Sequence, residues 1–96
     1  MHYVYILSST RTKSLYKGST ANLKRRLGEH NKGLVPSTRI YTPWRLIYYE
    51  AFLNKTDALR EEKFLKMGKG KERIKFLLRE TINNCVGTQV VNEGRL

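Results

Sequence analysis

The first apolar stretch of the chain, Tyr3-Val4-Tyr5-Ile6-Leu7, is β-branched and aromatic throughout, a composition that predicts a strand. Alternation puts Tyr3, Tyr5 and Leu7 on one side of it and Val4 and Ile6 on the other. Ser8 to Ser14 is polar and turn-like, and Leu15-Tyr16-Lys17-Gly18 follows as a second short strand. Two strands so closely linked are expected to pair as an antiparallel hairpin. Ser19 or Thr20 then offers a helix N-cap, and a helix from Ala21 to Asn31 follows, stopped at Gly33. Leu34 to Pro43, rich in Ser, Thr and Pro, reads as a loop. Trp44-Arg45-Leu46-Ile47-Tyr48-Tyr49 has the strongest strand pattern in the chain. Asn54 or Thr56 can cap a second helix ending near Met67, with Gly68 as its stop, and a third helix runs from Lys71 to Ile82. Residues 83–96 show little periodicity and are expected to form a frayed, partly disordered tail. The order β-β-α-β-α-α predicts one small α/β (α+β) domain over residues 1–82, a three-stranded sheet with helices packed on it.

Composition narrows the partner. The chain of 96 residues carries 19 Lys plus Arg against 8 Asp plus Glu, a formal net charge of +11. Such a body repels itself, and a polyanion relieves the repulsion through charge neutralisation and counterion release. Nucleic acid is therefore the first candidate, an anionic membrane surface the second. No apolar run approaches the roughly 20 residues that span a bilayer, so no membrane insertion is expected. Met1-His2-Tyr3-Val4-Tyr5 has no charged segment ahead of a long apolar stretch, so no signal peptide is expected and a reducing cytoplasm is the default. The one cysteine, Cys85, excludes an intramolecular disulfide framework, and zinc-type Cys/His spacing is absent.

Two helices place charge where apolar residues belong. On the first, Leu23 and Leu27 define a stripe, and Arg26 and His30 share its face. On the second, Ala58, Leu59 and Leu65 mark the inner face, and Glu62 falls inside that stripe, with Glu61 at its other border. A carboxylate among apolar neighbours is costly unless it is paired or binds a metal. Two readings stay open: Arg26 and His30 as boundary residues with Glu62 paired to Arg26, or all three as parts of a site. Gly18, just after Tyr16, removes a side chain where another group can approach closely.

Taken in order, Tyr3-Val4-Tyr5, Tyr16-Lys17-Gly18, Arg26 with His30 four residues later, and Glu62 resemble the signature of the GIY-YIG nucleases. Tyr3-Val4-Tyr5 stands where that family has Gly-Ile-Tyr, and Tyr16-Lys17-Gly18 where it has Tyr-Ile-Gly. The stretch from Leu23 to Asn31 resembles the family's arginine helix. Thr42 to Glu50 and Arg60 to Lys66 resemble its short, single-domain bacterial branch. The resemblance runs from Tyr3 to Leu78. It implies a three-stranded antiparallel sheet flanked by helices and a divalent-metal-dependent endonuclease that hydrolyses DNA phosphodiester bonds. Homing endonucleases, restriction enzymes and a DNA-repair incision subunit belong to that family.

By the same resemblance, Tyr5 and Tyr16 lie beside the attacking water, and either one helps to deprotonate it. Arg26 binds the scissile phosphate, and His30 assists proton transfer or positions the water. Glu62, or Glu61 one residue earlier, holds one hard cation, magnesium with manganese as the alternative. Three positions depart from the pattern: Tyr3 replaces the first Gly, Lys17 the middle aliphatic, and Ser19 a Lys found in some members. The family's late Asn has no clear counterpart, since Asn83 and Asn84 lie beyond the third helix.

Lys17, Lys24, Arg25, Arg39, Lys66, Lys69 and Lys71 are candidates for tracking phosphates around such a site, joined by Lys32, Arg45, Arg73 and Lys75. With no appended sequence reader, binding is expected to be salt-sensitive and directed at backbone or structure rather than sequence. DNA is favoured over RNA as the partner, and a monomer or weak dimer fits the chain. The alternative is a non-catalytic nucleic-acid-binding module of the same fold. Complete retention of Tyr5, Tyr16, Arg26, His30 and Glu62 favours the enzyme.

Overall fold

The computed structural model describes residues 1–82. The expected tail at 83–96, with Asn83 and Asn84, lies outside the described residues. Three strands, β1 (His2–Ser9), β2 (Leu15–Thr20) and β3 (Trp44–Phe52), form one sheet in the order β2-β1-β3. Both pairings are antiparallel, which makes β1 the central strand. Three α-helices complete the fold: α1 (Leu23–Asn31), α2 (Lys55–Leu65) and α3 (Gly68–Leu77). A 3-10 turn, Arg39–Tyr41, sits within the predicted loop.

The alternation of β1 sorts the core into two layers. Val4 and Ile6 join Ala58, Leu65, Ile74 and Leu78 under α2 and α3. Tyr5 and Leu7 face the other way, with Trp44, Tyr16, Leu23 and Leu27 under α1. Both faces of a three-stranded sheet are thus covered, and the edge strand β2 borders both layers.

Several boundaries differ from expectation, each for a local reason. Strand β2 continues through Ser19 and Thr20, so neither caps α1; Asn22 does, its side chain accepting from Arg25 N at 3.0 Å. Gly33 closes α1 with φ of 76°, a left-handed conformation suited to glycine. Helix α2 starts after Asn54, which accepts from Thr56 N at 2.8 Å, and stops at Leu65. Gly68 is then the first residue of α3 rather than a stop. Gly70 explains the tight junction: a Cβ there would collide with the Phe64 carbonyl oxygen and lie 2.6 Å from Leu65 Cα. Leu59, expected on the inner face of α2, is exposed, as are Phe76 and Leu77 of α3. No helix among the described residues is long and apolar enough to cross a membrane.

Candidate active site

The tyrosine face of the sheet carries a connected polar chain inside an apolar layer. Tyr5 and His30 are fully buried, and the Tyr5 hydroxyl lies 2.9 Å from His30 Nε2. His30 Nδ1 lies 2.8 Å from Thr38 Oγ1, and that hydroxyl donates to the Val35 carbonyl at 3.4 Å. Tyr5 sits opposite Gly18 in the β1–β2 ladder. A Cβ on Gly18 would stand 2.7 Å from the Tyr5 hydroxyl oxygen and 3.0 Å from Tyr16 Cε2. The missing side chain is what lets the Tyr5 ring fold over β2. Tyr16 packs its ring on His30 at 4.9 Å and on Trp44 at 6.3 Å between centroids.

Arg26 closes the chain on the outer side. Its guanidinium is partly exposed, bonds Glu29 Oε1 at 2.9 Å and donates toward the Tyr5 hydroxyl. These contacts hold the guanidinium above its ordinary range, the Glu29 bond contributing most. Burial pushes the Tyr5 phenol up to about 12, against the lowering effect of Arg26. Burial, then the charge of Arg26, holds His30 below its ordinary range, so the imidazole is neutral at physiological pH. Tyr5 is therefore a proton holder rather than a free phenolate, next to an imidazole able to accept a proton.

Glu62 approaches from the opposite face, around the β2 edge. Its Oε1 accepts from Ser19 Oγ at 2.7 Å, and its Oε2 pairs with Lys66 Nζ at 3.0 Å. Its charge reaches Tyr5. Glu61, one residue earlier, points toward β3: Arg73 Nη1 bonds it at 2.8 Å, and burial with the neighbouring Glu50 raises its carboxyl. Glu61 thus lies in the Glu50–Arg73 cluster, and Glu62 is the carboxylate whose charge reaches Tyr5. The pairing of Glu62 with Arg26 that the sequence left open does not form, because each has another partner.

Among the described residues no three His, Cys, Asp or Glu side chains group to hold a metal. A lone carboxylate fits magnesium, which takes one or two protein carboxylates and completes its shell with water and substrate phosphate. It does not fit the three- or four-ligand sets of zinc. Glu62 Oε2 already has one cationic partner, the Lys66 ammonium.

Of the basic candidates, Lys17, Lys66 and Lys71 come together beside Glu62. Lys17 is half-buried on β2, and burial, then Lys71 and Lys66, lower its ammonium. Lys69 is exposed in the first turn of α3. Lys24 and Arg25 are exposed at the start of α1, Arg25 3.8 Å from Glu29, and Arg39 is exposed on the 3-10 turn. Arg73 is instead engaged by Glu61 and Glu50. Two residues of the site's surroundings went unread in the sequence. Thr38 is one. Asn31 is the other: its Oδ1 accepts from Trp44 N at 2.6 Å and its Nδ2 donates to Trp44 O at 3.0 Å, tying α1 to the start of β3.

Residues 1–75 match the family model of the GIY-YIG catalytic domain. A UPF0213 protein of Pediococcus acidilactici is 41% identical over 81 residues, covering 78% of this chain and 79% of that protein. A UPF0213 protein of Bacillus licheniformis is 43% identical over 75 residues, covering 75% and 76%. The solution NMR structure of the UPF0213 protein BH0048 from Bacillus halodurans is 37% identical, covers 79% of this chain and 83% of that one, and has a TM-score of 0.49. The GIY-YIG family includes endonucleases, so at that coarse level the match supports a nuclease domain with a nucleic-acid substrate. The family model spans most of the chain and the relatives are similar over most of their own length, so the chain belongs to the GIY-YIG catalytic domain family, alongside the UPF0213 proteins.

Proposed function

We propose that this protein is a divalent-metal-dependent endonuclease that hydrolyses phosphodiester bonds of DNA, directed by backbone or strand structure rather than by base sequence. The observation that carries this reading is the convergence of three chemistries on one tyrosine. His30 touches the Tyr5 hydroxyl from within, Arg26 flanks it from outside, and the Glu62 carboxylate acts on it from across the sheet edge.

In this reading Arg26 binds the scissile phosphate and stabilises the charge that builds on its oxygens. Tyr5 keeps its proton at neutral pH, so it relays rather than titrates. As the attacking water gives a proton to the Tyr5 oxygen, Tyr5 passes its own to His30 Nε2, and an imidazolium results. Proton transfer of this kind contributes about 10²–10⁴-fold to rate. Tyr16, on the outer side of His30, orients the water. Glu62 would hold magnesium or manganese, which when bound polarises the phosphate and stabilises the leaving oxygen. Lys17, Lys66, Lys69 and Lys71 on the Glu62 side, with Lys24, Arg25 and Arg39, draw in the phosphate backbone and make binding salt-dependent.

A second reading is a nucleic-acid-binding module without turnover. The observation that favours it is that Arg26 and Glu62 both spend their charge internally, on Glu29 and Lys66. Cleavage of labelled duplex, single-stranded, flapped and branched DNA and of RNA separates the two. Each is tested with magnesium, manganese or EDTA, beside Arg26→Ala and Glu62→Ala. Metal-dependent cutting lost in both variants is expected. Tight binding without cutting, unchanged in both variants, replaces the enzyme with the module.

A further inference from the structure

We propose that Thr38 is a positioning residue whose hydroxyl accepts the His30 Nδ1 proton, so that Nε2 is kept free as the acceptor of the Tyr5 proton. Its mechanistic meaning rests on the nuclease reading; the tautomer itself does not.

Hydrogen-bond satisfaction decides the direction of the chain. Tyr5 is 1% exposed, so its hydroxyl proton needs a protein acceptor. The Arg26 guanidinium can only donate toward that oxygen. His30 Nε2, at 2.9 Å, is then the acceptor, and the ring proton must sit on Nδ1. Thr38 Oγ1, at 2.8 Å, receives it and turns its own proton to the Val35 carbonyl. Reversing the chain would put an Nε2 proton against the Tyr5 oxygen beside the Arg26 donors and leave the Tyr5 proton without an acceptor.

Apart from its local bond to the Val35 carbonyl, the Thr38 hydroxyl serves His30. Thr38 holds the N-cap position of the 3-10 turn, yet its side chain makes no capping bond. It is 2% exposed, and its own carbonyl accepts from Trp44 Nε1 at 3.0 Å, which fixes the backbone beneath the hydroxyl. The groups facing His30 are Tyr5 from β1, Tyr16 from β2, and Arg26 and Glu29 on its own helix. None of these supplies Nδ1 with a second acceptor.

The test is nitrogen-15 NMR of the His30 ring in the whole protein, with Thr38→Val and Thr38→Ser. Expected are the Nδ1–H tautomer in the wild type and in Thr38→Ser, and conversion toward Nε2–H in Thr38→Val. In cleavage, Thr38→Val is expected to lower kcat about 10- to 100-fold, a part of the roughly 10²–10⁴-fold that positioned proton transfer contributes. KM should stay unchanged and Thr38→Ser should restore the rate. A wild-type His30 in the Nε2–H form overturns the proposal, as does an unchanged tautomer in folded Thr38→Val. Should Thr38→Val fail to fold, the wild-type and Thr38→Ser spectra decide. Absence of cleavage by the wild type sinks the nuclease reading alone, since the ring spectrum needs no substrate.

Discussion

Substituting Gly18 by alanine should damage the fold and the site together, and the size of the effect follows from contacts already described. The new Cβ would stand 2.7 Å from the Tyr5 oxygen and 2.8 Å from its Cζ, distances that real Cβ atoms do not keep. The ring cannot withdraw freely, because Tyr5 is fully buried and its hydroxyl is held by His30 at 2.9 Å. Overpacking of this kind costs about 1–3 kcal/mol. Displacing the ring also breaks a buried hydrogen bond and strands its partners, about 1–3 kcal/mol more. The sum, about 2–6 kcal/mol, corresponds to a fall in melting temperature of about 8–48 °C at about 4–8 °C per kcal/mol for a domain of this size.

Gly28 provides the internal control. It lies within α1, and a Cβ there meets nothing within 4 Å. Gly28→Ala should raise stability by about 0.5–1 kcal/mol through helix propensity. Gly70→Ala should cost more than Gly18→Ala, since the colliding atoms are Phe64 and Leu65 backbone and cannot rotate away. Thermal and urea melts followed by circular dichroism measure all three. A Gly18→Ala protein that melts within about 3 °C of wild type, with its Tyr5–His30 contact intact by NMR, would refute the packing argument.

Further outcomes follow from other contacts. Burial raises Tyr5, and burial with Glu50 raises Tyr48, both to about 12 from an ordinary 10. Their contribution is therefore complete below pH 10 and lost as pH climbs toward 12, and melts across that range should show the decline. His30 is depressed, so its contribution is present above about 6.5 and fades as pH falls through its lower folded value; a His30 ring that titrates at 6.5 or above contradicts this. Asn31→Ala removes both bonds to the Trp44 backbone and should cost about 1–3 kcal/mol in urea unfolding; an unchanged midpoint would show the tie to be idle. Lys66→Ala frees Glu62 Oε2, and an exposed pair worth about 0.2–1 kcal/mol implies manganese affinity up to about fivefold tighter by calorimetry; weaker binding would place the cation elsewhere. Lys17→Ala or Lys71→Ala should reduce the salt slope of DNA binding by about one each, measured by anisotropy titration, and an unchanged slope would remove them from the interface.

Much of this was legible because it is periodic. The two-residue repeat of Tyr3-Val4-Tyr5-Ile6-Leu7 foretold two faces, and both exist. The helical spacing of Leu23, Arg26, Leu27 and His30 put an arginine and a histidine on one face. What stayed hidden depends on partners distant in sequence. Thr38 sits in a loop with no period to read, and Asn31 looks like an ordinary last residue of a helix until Trp44 arrives beside it. Helical spacing put Glu62 inside the Ala58–Leu65 stripe and Glu61 at its border, but spacing does not say which polar groups either one meets. The strands they reach do: β3 with Glu50 for Glu61, and β2 with Ser19 for Glu62. Leu59 was read as inner together with Ala58 and Leu65, yet one step from Ala58 along a helix is a rotation of about 100°, enough to carry it to solvent.

The placement of opposite charges on opposite faces of one strand has a consequence for how such a site works. Arg26 stands over the α1 face and Glu62 over the α2 face, with β2 between them. Had both lain on one face, a direct bridge would have neutralised the two groups to which the proposed function assigns a phosphate and a cation. Separated, each is held by a weaker and partly exposed neighbour, Glu29 or Lys66, that a ligand can displace at small cost. The edge strand between them carries one residue without a side chain. Gly18 is that residue, and the Tyr5 hydroxyl lies over it. The glycine thus decides more than packing: it lets the hydroxyl of a central-strand tyrosine lie against the edge strand, between the face that carries Arg26 and the face that carries Glu62.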